Sequence, residues 1–220
     1  MKTTALIAAA VLFSGTAQAV EIKLIATQAP EKTFRALVPQ FEKATGHKVT
    51  MLFTGTVDVN KKIQADEPYD LLVMASDVID EHLKDGHVMK GVRTDLAKSG
   101  VAAAVRAGAK KPDIRTVDTF KATLLAAKAV GISSGPSGIY ALHLFERLGI
   151  AGQIKPKLKQ TPSGIFVGDL LTKGEADIGL QQVSELSTFP GIDYLGPIPR
   201  SEEHTSELQS RFGISYAVFC

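Results

Sequence analysis

The sequence predicts an α/β fold. Short apolar segments typical of strands alternate with amphipathic segments typical of helices along nearly the whole chain, and each helix follows its strand within a few residues. The chain shows no internal repeat or heptad pattern. Its 220 residues carry 25 basic and 23 acidic side chains, a formal net charge of +2. This balance argues against a polyanionic partner, so we expect no binding to nucleic acid.

The beginning of the chain has the pattern of a secretory signal. Lys2 supplies the charged end, an apolar run covers residues 5–13, and Ala17-Gln18-Ala19 is a small-residue cleavage site. We therefore assign residues 1–19 to a signal peptide. An exported, periplasmic protein that begins near Val20 is expected.

The tail formed by residues 200–220 does not continue the preceding pattern. Arg200–Ser210 and Ile214–Cys220 can be written in codons as the two constant parts of a common sequencing adapter, so we interpret the tail as non-native. It contains Cys220, the one cysteine of the chain, so stability must come from a hydrophobic core. We expect a version with its natural C-terminus to be more stable, because apolar surface would regain its cover.

The first strand and helix are predicted at the start of the mature chain. The strand covers residues 21–26, and the helix follows Pro30, runs through Pro39 and is closed by Gly46. Four apolar residues have the spacing of one helical face: Phe34, Leu37, Val38 and Phe41.

Two further pairs of strand and helix follow. A strand at 49–53 precedes a polar helix at 58–65, and the segment "YDLLVMAS" precedes a helix at 77–85 that Gly86 caps. Both faces of "YDLLVMAS" are apolar, which favours a strand buried on both sides.

The second half continues the alternation. Strands are predicted at 101–106, 156–160 and 175–182, and helices at 118–128, after "GISSGPSG", and at 165–173. We expect crossover strands at 101–106 and 192–199 to join two lobes. The predicted boundaries are 20–100 for the first lobe, 101–191 for the second and 192–199 for the return to the first.

Gly131–Gly135, "GISSG", matches the G-x-S-x-G pattern of a hydrolase nucleophile elbow, with Ser133 as the nucleophile. A hydrolase of that fold needs a histidine late in the chain. His143 is the one histidine between Ser133 and the tail, and it lies on the helix that directly follows the elbow. A secreted serine hydrolase that uses Ser133 remains an alternative.

The same stretch can also bind an anion. The first turn of a helix leaves N–H groups unpaired and carries a partial positive charge. Gly135 and Gly138 allow close approach, and the serines of the stretch offer hydroxyls. The simpler alternative is that Ser137 is a helix N-cap.

Three other junctions between strand and helix carry small hydroxyl residues: 27–29, 54–56 and 161–164. Loops at the carboxyl ends of parallel strands gather at one edge of a sheet, where ligands bind. The four junctions together therefore predict one shared ligand site.

Four segments in this order, "FEKATGHKV", "PYDLLVMAS", "GPSGIYALHLFERLGI" and "KGEADIGLQQ", resemble the molybdate-type substrate-binding proteins of ABC importers. The resemblance covers most of residues 20–199. It implies a type II periplasmic binding fold, two α/β lobes with an oxyanion such as molybdate or tungstate between them. It also implies hydroxyl and N–H ligands, a tyrosine ligand and an inner-membrane ABC permease as partner. We expect a monomer that catalyses no reaction.

Carried over to this sequence, the resemblance predicts these ligand-binding residues: Thr27, Gln28, Ala29, Thr56, Ser137, Ser163, Gly164 and Gln182. Ala29 stands near a usual serine, and Gln182 stands at the tyrosine position. Together with Gln181 and Glu185, Gln182 suits a ligand that donates hydrogen bonds, and a carboxylate would repel a dianion. An organic acid is therefore the alternative ligand.

No cofactor or metal is predicted. His47, His82 and His87 are widely spaced in the sequence, the first after a helix end and the others flanking one. Metal sites need ligands at closer, regular spacing.

Overall fold

The computed structural model describes residues 19–88, 93–199 and the strand at 214–219. The predicted signal peptide, apart from Ala19, and residues 200–213 and 220 of the tail lie outside the described residues. Two five-stranded sheets form the architecture, with strand orders β2-β1-β3-β10-β4 and β7-β6-β8-β5-β9. The predicted α/β class is confirmed.

The first sheet contains these strands: β1 (Glu21–Thr27), β2 (Lys48–Thr54), β3 (Leu71–Ala75), β4 (Arg93–Ser99) and β10 (Ile214–Phe219). β1 pairs in parallel with β2 and β3, whereas β10 runs antiparallel between β3 and β4. The three helices of this lobe are α1 (Glu31–Thr45), α2 (Thr56–Gln64) and α3 (Ser76–Asp85). Each helix begins within four residues of a strand end, as the sequence predicts.

Gly46 and Gly86 end α1 and α3 in the left-handed conformation, with φ of 78° and 79°. The backbone there favours glycine because it has no Cβ, so both predicted caps are confirmed. The predicted apolar face of α1 is partly wrong. Val38 is buried, but Leu37 and Phe41 are 54% and 41% exposed. The buried face of α1 is therefore narrower than the spacing of its apolar residues predicts.

The second sheet contains these strands: β5 (Val101–Arg106), β6 (Val130–Ile132), β7 (Leu158–Gln160), β8 (Ile178–Gln182) and β9 (Ile192–Pro197). β6 is parallel to β7 and β8, and β5 is antiparallel to β8 and β9. Its helices are α4 (Val117–Ala126), α5 (Pro136–Arg147), α6 (Ala151–Ile154), a 3₁₀ turn (Lys155–Lys157), α7 (Val167–Thr172) and α8 (Val183–Leu186). The chain leaves the first sheet at β4 and enters the second at β5.

Both sheets are covered on their two faces. In β5, Ala103 packs into a large core with α4, α5 and α6, while Ala102 and Ala104 pack on the other side against α7 and α8. In β3, Leu72 and Val73 likewise belong to two different clusters. The alanines of β5 let helices pack closely on both faces of this strand. This packing sets the position of the helix ends relative to the strand ends.

Two strands and two short α-helices were not predicted from the sequence, and the 3₁₀ turn at Lys155–Lys157 replaces the start of the strand predicted at 156–160. β4 has the sequence "RTDLAKS", whose exposed charged residues hide the strand pattern. α6 and α8 have four residues each, too few for a helical period. β10 lies in the tail that we left out of the fold, yet its backbone pairs with β3 and β4. Whether the tail is non-native stays a prediction.

Within the described ranges, no helix is both long enough and apolar enough to cross a bilayer. The same residues contain no group of three His, Cys, Asp or Glu side chains placed to hold a metal ion. The buried ring of His82 contacts Asn60 instead, with 2.9 Å between Nε2 and Oδ1.

Candidate ligand-binding site

A small, partly open cavity lies between the two sheets and is lined by residues of both. Its wall comes from the carboxyl ends of parallel strands in both lobes. Thr27 ends β1, Gly55 follows β2, Ser133 follows β6 and Gly164 follows β7. The four junctions singled out in the sequence therefore converge on one place, where sheet topology puts ligand sites.

Seven of the eight predicted ligand-binding residues line the cavity: Thr27, Gln28, Ala29, Thr56, Ser137, Gly164 and Gln182. Ser163 does not line it, because its hydroxyl is buried against the backbone of Gly55. The role of the seven lining residues as ligand contacts stays a prediction.

The helices that begin at the cavity have no side-chain cap. α1, α2 and α5 start after Pro30, Gly55 and Gly135, and none of these starts has a capping hydrogen bond from a side chain. By contrast, α4 begins away from the cavity with a complete capping box between Thr116 and Thr119. Some of the first N–H groups are already paired, since Glu31 donates to Gln28 O and Gly138 to Gly135 O. The N–H groups of Thr56 and Ser137 have no backbone partner among the described residues and are available to a ligand.

Ser137 is not an N-cap, so that alternative is wrong. The cap position is Gly135, in an extended conformation, Pro136 is the first helical residue, and Ser137 follows it. The Ser137 hydroxyl lies 2.8 Å from the Ser133 hydroxyl, and both side chains are buried on the cavity side. Gly138 allows this arrangement because a Cβ there would lie 1.7 Å from the Ser133 carbonyl oxygen.

The geometry around Ser133 does not support a hydrolase. Its hydroxyl contacts Ser137 Oγ and accepts a hydrogen bond from Gly135 N–H at 3.3 Å. His143 is exposed on α5. Nothing in the described residues supports the nucleophile reading of Ser133.

Three buried hydroxyls have no hydrogen-bond partner among the described residues: Thr27 Oγ1, Thr161 Oγ1 and Ser163 Oγ. A buried polar group without a partner costs about 1–3 kcal/mol. Thr27 lines the cavity and is only 6% exposed. An acceptor placed in the cavity would satisfy its hydroxyl.

Direct contacts hold the two lobes together over the cavity. Gln28 Nε2 donates to Gly164 O at 2.9 Å, and Lys32 Nζ donates to Thr188 O at 3.0 Å and also contacts Thr188 Oγ1. At Gly55, a Cβ would lie 2.1 Å from Ser163 Oγ and 2.4 Å from Gly164 N, so the two loops meet backbone against backbone. The two lobes therefore contact each other directly beside the cavity, as a closed form would require.

We expect Gly55→Ala to weaken ligand binding at least tenfold. The added methyl group cannot fit in the closed form, because one of the atoms it meets belongs to the backbone of the facing lobe. The clash vanishes when the lobes separate, so the melting temperature of the ligand-free protein should change little. Isothermal titration calorimetry beside a thermal melt measures both quantities. Wild-type affinity in this variant would contradict the closed contact.

Glu185 is the one ionisable side chain on the described wall of the cavity. Burial raises the pKa of its carboxyl from 4.5 to about 7, against the opposing effect of hydrogen bonds from the Gln182 N–H and the Gln181 side chain. Gln181 is itself fixed, because its Oε1 accepts from Val167 N–H at 2.8 Å. No lysine or arginine is among the described residues that line the wall, so neutral donors and one weak acid form the site.

The raised pKa predicts that the ligand-free protein loses stability as pH rises. A carboxyl with a folded pKa of about 7 and an ordinary value of 4.5 stabilises the fold most when protonated. This contribution is complete below about pH 4.5 and is lost by about pH 7, a fall of at most about 3 kcal/mol. Urea unfolding across this range should show the fall in wild type and not in Glu185→Gln. The exposed Glu146→Gln is the control and should behave as wild type.

Two α/β lobes closed over a cavity of hydroxyls, amides and uncapped helix starts define a two-lobe solute-binding protein with the type II periplasmic fold. The chain belongs to the bacterial extracellular solute-binding protein family, whose model matches residues 22–209. The predicted resemblance and fold are confirmed.

Two relatives are similar to most of this chain. Aconitate isomerase of a Pseudomonas species is 38% identical over 173 residues, which are 76% of this chain and 66% of that protein. The molybdate-binding protein ModA of Azotobacter vinelandii is 29% identical over 181 residues, 80% of this chain and 69% of its own. The chain thus spans about two thirds of the length of each.

The structure of the periplasmic molybdate-binding protein of Azotobacter vinelandii superimposes with a TM-score of 0.69 at 17% identity, over 90% of this chain and 84% of that one. At this identity the match establishes the fold alone.

Proposed function

We propose that this protein is the periplasmic binding component of an ABC importer and that it holds a small anion between its lobes. The observation that carries the proposal is the convergence of three uncapped helix starts, α1, α2 and α5, on one cavity. Helix starts at a cavity favour an anion, since their N–H groups and dipoles point at it. Thr27, with its unpaired hydroxyl, adds a donor from the first lobe.

Binding would proceed by closure. When the lobes meet, water leaves the cavity, and neutral donors interact more strongly with a charge in the lower dielectric. A site without lysine or arginine also avoids burying an unpaired cation when it is empty. The contacts of Gln28 with Gly164 and of Lys32 with Thr188 would stabilise the closed form that a permease receives.

The partner in this proposal is an inner-membrane ABC permease, and the working form is a monomer in the periplasm. Residues 20–100 and 101–191 would be the two lobes, with 192–199 as the return crossover. The exported location rests on the family and on the signal pattern of residues 1–19.

Two ligand classes fit the cavity. A tetrahedral oxyanion such as molybdate or tungstate would use the hydroxyl and N–H donors of Ser137 and Thr56. An organic acid would use the same donors and also the amide of Gln182, which replaces the expected tyrosine. Ala29 removes one hydroxyl from the oxyanion set. Because the relative with the higher identity is an aconitate isomerase, the organic acid is the stronger of the two.

A titration panel tests the proposal. Calorimetry with molybdate, tungstate, sulfate, citrate and trans-aconitate should reveal one binder at least a hundredfold tighter than the rest. Ser137→Ala should weaken that binder about tenfold through loss of a hydroxyl donor. Absence of binding by every anion would overturn the proposal.

A second candidate function is isomerisation of an unsaturated organic acid. Glu185 favours it, because an acid with a pKa of about 7 on the cavity wall can take a proton from one carbon and return it to another. The Glu185 carboxylate would remove a proton from the allylic methylene carbon, the electron pair would delocalise over the three carbons, and the resulting carboxylic acid would return the proton to the former vinylic CH carbon. The double bond then lies between the central carbon and the former methylene carbon, with no net change in atoms.

Proton NMR of cis-aconitate incubated with the protein separates the two functions. An isomerase would produce trans-aconitate at a rate proportional to protein concentration, and Glu185→Gln would abolish that rate. Unchanged cis-aconitate would exclude this second function and leave the binding role intact.

A further inference from the structure

We propose that Glu185 contacts the bound anion as a neutral carboxylic acid, so that each anion binds together with one proton. The inference rests on the proposed binding function and adds to it a specificity-determining residue and a pH dependence. It follows from the position of Glu185, from the groups that fix its carboxyl and from the absence of a compensating charge in the described wall.

The position of Glu185 is set by the direct connection between β8 and α8. Gln182 is the last residue of β8, and α8 carries Glu185 back along the cavity. The Gln182 N–H and the Gln181 side chain both donate to the Glu185 carboxyl. Since Gln181 is held by Val167 N–H, the carboxyl cannot easily turn away from the cavity. A ligand that fills the cavity therefore meets this group.

The elements packed against α8 supply no cation to Glu185. α8 packs on β5, β8 and β9, and β8 has no ionisable side chain. The charged residue of β5 is Arg106, at the opposite end of the strand from Val101, which pairs with Gln182. The pKa of Glu185 accordingly reflects burial and hydrogen bonds, with no contribution from a charged neighbour.

The ionisable groups of β9, and Lys32 from the facing lobe, form no ion pair with Glu185. Asp193 pairs with Lys111 at 3.4 Å, and Tyr194 lies beside Ala104 in the sheet, away from Gln182. From α1, Lys32 reaches the cleft, but its ammonium donates to Thr188. No ion pair of Glu185 occurs in the described part of the chain.

An anion in this cavity therefore meets either a carboxylate that repels it or a carboxylic acid that donates to it. The second state is reached at little cost, because the pKa of Glu185 is already about 7 in the empty site. A bound negative charge raises the pKa further. The anion and the proton thus favour each other's binding.

The test is the affinity for molybdate and for trans-aconitate, measured between about pH 6 and pH 9. Both probes are ionised above about pH 7, so a change in affinity there reports the titration of the protein. Wild type should lose about tenfold in affinity for each pH unit above about pH 7. Glu185→Gln keeps an N–H donor in place of the acid, so its affinity should stay constant and exceed that of wild type about a hundredfold at pH 9. Glu146→Gln, on the exposed side of α5, should keep the wild-type slope.

Calorimetry at pH 8 in two buffers with different ionisation enthalpies counts the protons. One proton per anion is expected for wild type and none for Glu185→Gln. Binding of either probe without a pH slope, or with the same slope in both proteins, overturns the inference and leaves the binding function standing. If neither probe binds, the comparison is repeated with tungstate, sulfate and citrate, and no binding of any of the five anions by either protein at any pH overturns both.

Discussion

Gly138→Ala is expected to abolish ligand binding and to destabilise the second lobe. A Cβ at this position would lie 1.7 Å from the carbonyl oxygen and 2.7 Å from the carbonyl carbon of Ser133. Both atoms belong to the backbone, so the first turn of α5 has to move away from β6. That movement displaces both the hydroxyl and the backbone N–H of Ser137. We expect a hundredfold or greater loss of affinity and a loss of about 1–3 kcal/mol of stability.

Calorimetry and urea unfolding measure the two effects. Gly152→Ala is a matched control, since Gly152 also lies in a helix of the second lobe and a Cβ there meets nothing within 4 Å. The control should bind as wild type and have equal or greater stability, because alanine favours the helix. If Gly138→Ala bound its anion with wild-type affinity, the start of α5 would not be part of the site.

Deletion of residues 214–220 is expected to lower the melting temperature by about 10 °C or more. The backbone of β10 pairs with β3 on one side and β4 on the other, so its removal leaves β4 without a sheet neighbour and opens an edge of β3. Unpaired strand edges expose N–H and C=O groups and promote association between chains. Deletion of Cys220 alone leaves all of β10 in place and is the control.

Thermal melts with light scattering distinguish the two proteins. The shorter chain should unfold earlier and aggregate, whereas the control should match wild type. Equal melting temperatures would mean that β10 contributes nothing to the first sheet.

The sequence predicted the fold well where a local pattern is strong. Apolar runs located β1, β3 and β5, and Gly46 and Gly86 marked helix ends because a left-handed backbone there favours glycine. It predicted poorly where the pattern is short or charged. β4 reads as a polar loop, and α8 has too few residues to show a period.

The predicted site was found through chemistry that repeats at several junctions. The four junctions were chosen because small hydroxyl residues and glycines follow strands there, and sheet topology brings such positions together. The resemblance to the molybdate-type binding proteins then selected Thr27, Thr56, Ser137 and Gly164 within them. The prediction was incomplete at Ser163, which the sequence placed on the wall. Its hydroxyl is turned into the contact with Gly55, a packing detail that no local pattern contains.

What the sequence alone determined is the α/β alternation, the strand-to-helix junctions and the kind of donors they carry, because these depend on neighbours within a few residues. Only the tertiary structure decided that helix starts from both lobes face one cavity, that Gly55 and Gly164 meet across it, and that Glu185 stands on its wall with a raised pKa. These features join residues more than a hundred positions apart or depend on burial. The distance between residues far apart in the sequence and the local dielectric around a buried carboxyl arise only when the chain packs. A local sequence pattern therefore cannot predict them.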